Sequence, residues 1–174
     1  GQSLFLSGSI GASRAGLELL SAGEKGCSGH EWVKNHLRGS FPDRLGHWLA
    51  AHTATTACID ISDGLFSEAH HLAKSSRVRI VIDEEALPLA DGLNEWALKR
   101  GCDPTIYAGE SGEEYQLLFT CASPLDEDEA IFPHMPSHWQ VRRVGVVEQG
   151  EGVVLNRADG TRESLLATGW NHFK

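Results

Sequence analysis

The chain has 174 residues, 41% of them hydrophobic, and carries 24 acidic against 15 basic side chains for a net charge of −9. That length supports one domain with a full core, and the acidic balance, with no basic run longer than 141–143, speaks against nucleic acid or an anionic membrane as a partner. No apolar stretch approaches bilayer length and no signal peptide opens the chain, so a cytoplasmic location is expected, and Cys27, Cys58, Cys102 and Cys121, with no C-x-x-C pair, read as reduced thiols.

In chain order, residues 3–7 read as a strand entering the turn Gly8-Ser9-Ile10-Gly11, and 12–22 as a helix with Ala15, Leu19 and Ala22 on one stripe. The turn lacks G-K-[ST], and glycines at 8, 11 and 16 miss the dinucleotide spacing G-x-G-x-x-G. It reads as a tight strand-to-helix connection. A short helix is expected over 31–37, and Pro42 starts another that runs to about His52. His30, His36, His47 and His52 do not place three on one helical face near a carboxylate and read as surface or packing residues. Arg38 and Arg44 flank the loop between these helices, a weak signal for a phosphate.

Residues 55–59 suit a buried strand in which Cys58 packs, as Cys121 does in a later one. The acidic cluster Asp60-Ile61-Ser62-Asp63-Gly64 then falls at a strand-to-helix turn, because Leu65, Phe66, Ala69, Leu72 and Ala73 recur at helical spacing. A helix N-terminus there sets unpaired N–H groups beside two carboxylates. Asp60 and Asp63 can hold a divalent cation while Ser62 or the backbone faces a phosphate oxygen, since hard cations such as Mg²⁺ prefer carboxylate, water and phosphate. Ser62 or Asp63 as a plain helix cap is the simpler alternative, and a nucleophilic aspartate is another. Two aspartates three positions apart, the first closing an apolar strand where a charge is costly, favour a site. An EF-hand loop is excluded, because Leu65 and His71 stand where Gly and Glu are required.

The helix continues to about residue 76, with His70-His71 as a solvated pair, followed by a strand over 78–83 and a helix over 92–99 closed by Gly101. Residues 107–120 form a glycine-punctuated acidic loop running into an apolar strand; a solvated loop is its simple reading. A helix over 123–131, a strand over 140–147 and a hairpin of 153–155 with 161–165 through Ala158-Asp159-Gly160 follow. The aromatic terminus 169–173 docks on the core or stacks on a flat heterocycle. The alternation predicts an α/β (α+β) fold, a mixed β-sheet packed with helices, in one domain over 1–174.

Five stretches together, Ser7-Gly8-Ser9-Ile10-Gly11-Ala12-Ser13-Arg14-Ala15-Gly16-Leu17, His36-Leu37-Arg38, residues 58–65, Gly112-Glu113-Glu114-Tyr115-Gln116-Leu117-Leu118-Phe119 and Gly169-Trp170-Asn171-His172-Phe173, resemble the thiamine-monophosphate kinase family in the order that family shows them. The likeness is to its C-terminal domain, in the superfamily of aminoimidazole ribonucleotide synthetase. It implies transfer of the ATP γ-phosphoryl group to thiamine monophosphate, giving thiamine diphosphate, by Mg²⁺-assisted positioning without a protein nucleophile. By that resemblance Asp60 and Asp63 are magnesium ligands, Ser62 an ATP contact, and Glu113 and Trp170 substrate contacts. It further implies a homodimeric parent whose N-terminal ATP- and metal-binding half is absent here, so that this stretch alone is inactive. The chain departs from the family pattern at Ser111, Glu114 and Gln116, where Gly, Asp and Glu are usual, and at Ala12, where Asp is usual. Another ATP-dependent member of the superfamily and a binding domain that has lost catalysis are the competing expectations.

Overall fold

The computed structural model describes residues 1–23, 30–52, 54–122 and 135–166. In chain order it contains β1 (Gln2–Leu6), α1 (Ala12–Ser21), α2 (Glu31–Arg38), α3 (Leu45–Ala51), β2 (Thr55–Asp60), α4 (Leu65–Ser76) and β3 (Arg79–Asp83). A single 3₁₀ turn (Glu84–Ala86), α5 (Leu93–Lys99), α6 (Pro104–Gly109), β4 (Leu117–Cys121), β5 (Arg142–Glu148), β6 (Gly152–Asn156) and β7 (Arg162–Leu165) complete it. The strands form one mixed seven-stranded sheet in the order β2-β4-β1-β5-β3-β6-β7. All pairs are antiparallel except β3 with β6. The expected mixed sheet with helices is the fold observed.

Alternation along the central strands makes two cores. In β1, Leu4 and Leu6 join the larger cluster with Ile10, Ala15, Leu65, Phe66 and Ile82, while Phe5 points to the opposite face. There Phe5 and Phe119 stack at 5.5 Å and are covered by Leu45 and Leu49 of α3. This is the period-two signature of a strand buried on both sides. Fully burying each such leucine or phenylalanine contributes about 1.5–3 kcal/mol.

Several sequence expectations shift. The strand expected over 55–59 is not buried: β2 is the edge of the sheet and alternates half-buried with exposed residues, leaving Cys58 exposed rather than packed. A short apolar run reads alike for an edge and a central strand, and pairing alone separates them. Cys121 is buried, as expected. The helix expected from Pro42 starts later, at Leu45, after Arg44 takes a left-handed φ of 62°. Helix α6 runs into the start of the stretch expected as a loop, and Asp103-Pro104 is its start signal. Asp103 caps it by accepting from the Thr105 and Ile106 N–H groups, and Pro104 occupies its first turn. His70 is not simply solvated: its Nε2 lies 3.1 Å from the Leu165 carbonyl and ties α4 to β7. The helix expected over 123–131, Cys27 and the aromatic terminus with Trp170 lie outside the described residues.

The sheet direction positions the site. The strands β1, β2 and β3 end where β4 and β5 begin, with Asp60 opposite Leu117 and Leu6 opposite both Leu118 and Arg142. The turn after β1, the acidic turn after β2 and the loop before β4 therefore meet at one end of the sheet.

Candidate active site

The acidic turn is built by glycine rather than by a side-chain cap. Helix α4 starts from Gly64, at φ 107°, with no side-chain capping bond, so neither Ser62 nor Asp63 serves as its cap. A Cβ on Gly64 would stand 3.0 Å from the Gly109 carbonyl oxygen, and only glycine combines that φ with that approach. Asp60, Ser62 and Asp63 are left exposed. Beneath them Glu68, 3% exposed, accepts from the Ser62 hydroxyl at 3.1 Å and from the Asp63 N–H at 3.2 Å. This buried carboxylate holds the turn in shape and leaves the two aspartates turned to solvent. Nothing in the sequence singles out Glu68, since a lone Glu in the first turn of a helix gives no distinctive signal.

The second acidic stretch is pinned to the first through the backbone. The Glu113 N–H donates to the Ser62 carbonyl at 2.7 Å, the Tyr115 N–H to the Ile61 carbonyl at 2.9 Å, and the Ile61 N–H to the Gln116 carbonyl at 2.8 Å. Glu113 and Tyr115 take left-handed φ values of 57° and 54°, and Gly112 passes so close that a Cβ there would stand 2.9 Å from the Ser62 oxygen. Such backbone cost is tolerated where the surroundings fix the conformation. The loop is an ordered wall of the site, not a solvated segment.

Its side chains also grip the first turn. Glu114, 1% exposed, accepts through Oε1 from the Gly11 N–H at 2.7 Å, the Ser13 N–H at 3.1 Å and the Ser111 hydroxyl at 2.5 Å. Helix α1 begins at Gly11 without a cap of its own, so its cap is a carboxylate 103 residues away in sequence. Burial pushes the Glu114 carboxyl above its ordinary value, against the lowering effect of these three donors. Gln116 accepts from the Ser7 hydroxyl at 2.8 Å and donates to the Ser40 carbonyl at 2.7 Å. The two departures from the family pattern at 114 and 116 are thus the clamps that close the site.

Glu113 itself is 60% exposed, and its Oε2 lies 3.6 Å from Nδ1 of His36, which is hydrogen-bonded to the Ser13 hydroxyl at 3.0 Å. His36 is therefore part of the site rather than a surface histidine. Arg14 bridges Glu18 and Glu110 and lies 4.1 Å above the Tyr107 ring. Of the sequence-predicted site residues, Asp60, Ser62, Asp63 and Glu113 come together.

The donor chemistry fits magnesium in one specific way. Among the described residues no group of three or more His, Cys, Asp or Glu side chains is gathered to hold a metal. Two exposed carboxylates match what Mg²⁺ takes from a protein when phosphates and water supply the other ligands. They do not match a resident structural ion.

A mixed sheet with helices, ending in an exposed dicarboxylate turn backed by an acidic loop, is the fold that solved structures of the aminoimidazole ribonucleotide synthetase-like class share. No protein-family model matches the chain. It is 37% identical over 179 residues to thiamine-monophosphate kinase of Aquifex aeolicus, covering 99% of this chain and 52% of the relative. It is 31% identical over 183 residues to the enzyme of that name from Bacillus subtilis, covering 98% and 52%. The structure of AaThiL complexed with AMPPCP and TMP superposes with a TM-score of 0.78 at 37% identity, over 99% of this chain and 52% of that one. The E. coli hydrogenase maturation protein HypE, at 20% identity and a TM-score of 0.72, shares the fold. The chain is a homologue of the thiamine-monophosphate kinases and spans about half the length of the curated relatives it matches.

Proposed function

We propose that this chain is the C-terminal half of an ATP-dependent kinase that phosphorylates thiamine monophosphate to thiamine diphosphate. The observation that carries this reading is the bond from the Glu113 N–H to the Ser62 carbonyl, which ties the turn bearing Asp60 and Asp63 to the loop bearing Glu113. A phosphoryl transfer between two phosphorylated substrates needs them positioned in line and their charges neutralised, with little covalent work from protein groups.

In this reading Asp60 and Asp63 hold Mg²⁺, which supplies charge neutralisation on the phosphates when bound. Ser62 contacts ATP, its hydroxyl oriented by Glu68. Glu113, held by its backbone and steadied by His36, orients thiamine monophosphate, and Trp170 provides an aromatic contact. The remaining nucleotide and metal ligands come from the other half of the protein, through which it dimerises. A cytoplasmic enzyme is the natural setting. Among the described residues no helix is long and apolar enough to cross a membrane.

The test is phosphoryl transfer by the full-length protein carrying this chain, with ATP, Mg²⁺ and thiamine monophosphate. Formation of thiamine diphosphate that stops without Mg²⁺ supports the reading. A folded protein that binds ATP and forms no thiamine diphosphate refutes it and favours another acceptor.

A further inference from the structure

At the end of the sheet that also carries the acidic turn lies a cleft of about 980 Å³ between the first turn, α2, the start of β5 and residues 87–91. Its walls are fixed. The Ile10 N–H donates to the Pro88 carbonyl and the Ala90 N–H to the Ile10 carbonyl, both at 2.9 Å. Gly8 packs against Gln116 with no room for a Cβ.

Two guanidinium groups line this cleft, Arg38 from the end of α2 and Arg142 from the start of β5. Both are exposed; Arg38 attracts the Glu31 carboxylate and helps to hold it below its ordinary value, but among the described residues neither arginine is held in a hydrogen bond or close ion pair, in a chain with a net charge of −9. Arg157, by contrast, is engaged by Glu84, Asp103 and Glu163. Arg44, the other arginine of this loop, is spent on Asp43 and does not line the cleft. Of the acidic residues of the cleft, Glu31 is hydrogen-bonded to Lys34 and only attracted at longer range by Arg38, and Asp91 is exposed. Two further features face the same space. The exposed Ser9 adds a hydroxyl. Asn35 carries a side-chain oxygen that is buried without a partner among the described residues.

We propose that this cleft is an anion subsite that holds a phosphate group of a phosphorylated ligand between Arg38 and Arg142. Arginine forks match phosphate oxygens in bidentate geometry, and a phosphate has enough terminal oxygens to engage both forks and the Ser9 hydroxyl at once. The charge division at this end of the sheet follows: one phosphate region is served by carboxylates and a cation, the other by Arg38 and Arg142, with Lys34 held on Glu31. The assignment rests on the cleft's own charges and is independent of which kinase reaction the protein performs.

The experiment titrates the full-length protein carrying this chain with inorganic pyrophosphate in metal-free buffer, by calorimetry, so that the aspartate turn cannot recruit the probe through an ion. The expected result is saturable binding, weakened tenfold or more in Arg38→Gln and in Arg142→Gln and unchanged within twofold in Lys99→Gln, a distant exposed cation. Arg38 lies on an exposed helix end, so Arg38→Gln decides the matter if Arg142→Gln fails to fold. No binding by the folded wild type, equal binding by wild type and Arg38→Gln, or malonate binding as well as pyrophosphate overturns the subsite. Displacement by thiamine monophosphate but not thiamine, or by ATP alone, supports it and identifies the phosphate's source. Loss of the subsite with phosphoryl transfer intact leaves the kinase reading standing.

Discussion

The Glu113 N–H donates to the Ser62 carbonyl across 2.7 Å, joining two acidic stretches that lie far apart in sequence. The consequence is mechanical. A displacement of the loop before β4 moves the turn that carries Asp60 and Asp63, so the positions of Glu113 and of the two aspartates are set together.

Asp63→Asn in the full-length protein is expected to lower Mg²⁺-dependent phosphoryl transfer about a hundredfold or more, because an amide no longer neutralises the cation and several kcal/mol of charge stabilisation are lost. Asp63 is exposed, so the melting temperature should stay within about 2 °C of wild type. Steady-state assays across Mg²⁺ concentrations check this; unchanged rates at limiting Mg²⁺ would remove Asp63 from the metal site.

Glu114→Ala leaves the Gly11 and Ser13 N–H groups without their acceptor inside a buried region. The expected cost is about 1–3 kcal/mol, read by urea denaturation, with α1 losing amide protection first.

The pH dependence of the same residue has a definite sign. Burial raises the Glu114 carboxyl in the folded protein, so the folded state binds its proton more readily than the unfolded chain. That contribution is fully present below the unfolded carboxylate value of about 4.3 and is lost as pH rises through the higher folded value. Stability of wild type relative to Glu114→Gln should therefore fall as pH rises across this window and level off above it. A difference that rises with pH would mean the donors from Gly11, Ser13 and Ser111 outweigh burial.

Gly64→Ala forces a Cβ into a φ of 107° and to within 3.0 Å of the Gly109 carbonyl. The expected effect is a loss of about 1–3 kcal/mol together with a fall in Mg²⁺ affinity, because the turn itself must shift. Alanine at Gly23, also at positive φ but in open space, should cost less and leave Mg²⁺ affinity alone.

Arg157 sits among Glu84, Asp103 and Glu163 at 2.7–2.8 Å and is 19% exposed. It joins the turn between β6 and β7 to the 3₁₀ turn and to the cap of α6. Arg157→Ala is expected to cost about 1–2 kcal/mol, since Asp103 and Glu163 are largely solvated and their pairs are correspondingly weak. At this chain length each kcal/mol lowers the melting temperature by about 2–4 °C, measurable by calorimetry.

The sequence by itself determined the alternating elements, the mixed sheet and the placing of Asp60, Ser62 and Asp63 at a strand-to-helix turn. These follow from local periodicity and from acidic side chains where an apolar run stops, both of which are properties of neighbouring residues. Only the tertiary structure decided that β2 is an edge strand, that Glu68 supports the turn, that Glu114 caps a helix 103 residues away and that His36 meets Glu113. Each depends on strand pairing or on a hydrogen bond between distant segments. Such contacts leave no period in the chain, because the partner that satisfies a buried carboxylate or an uncapped helix is fixed by where the sheet brings its ends together.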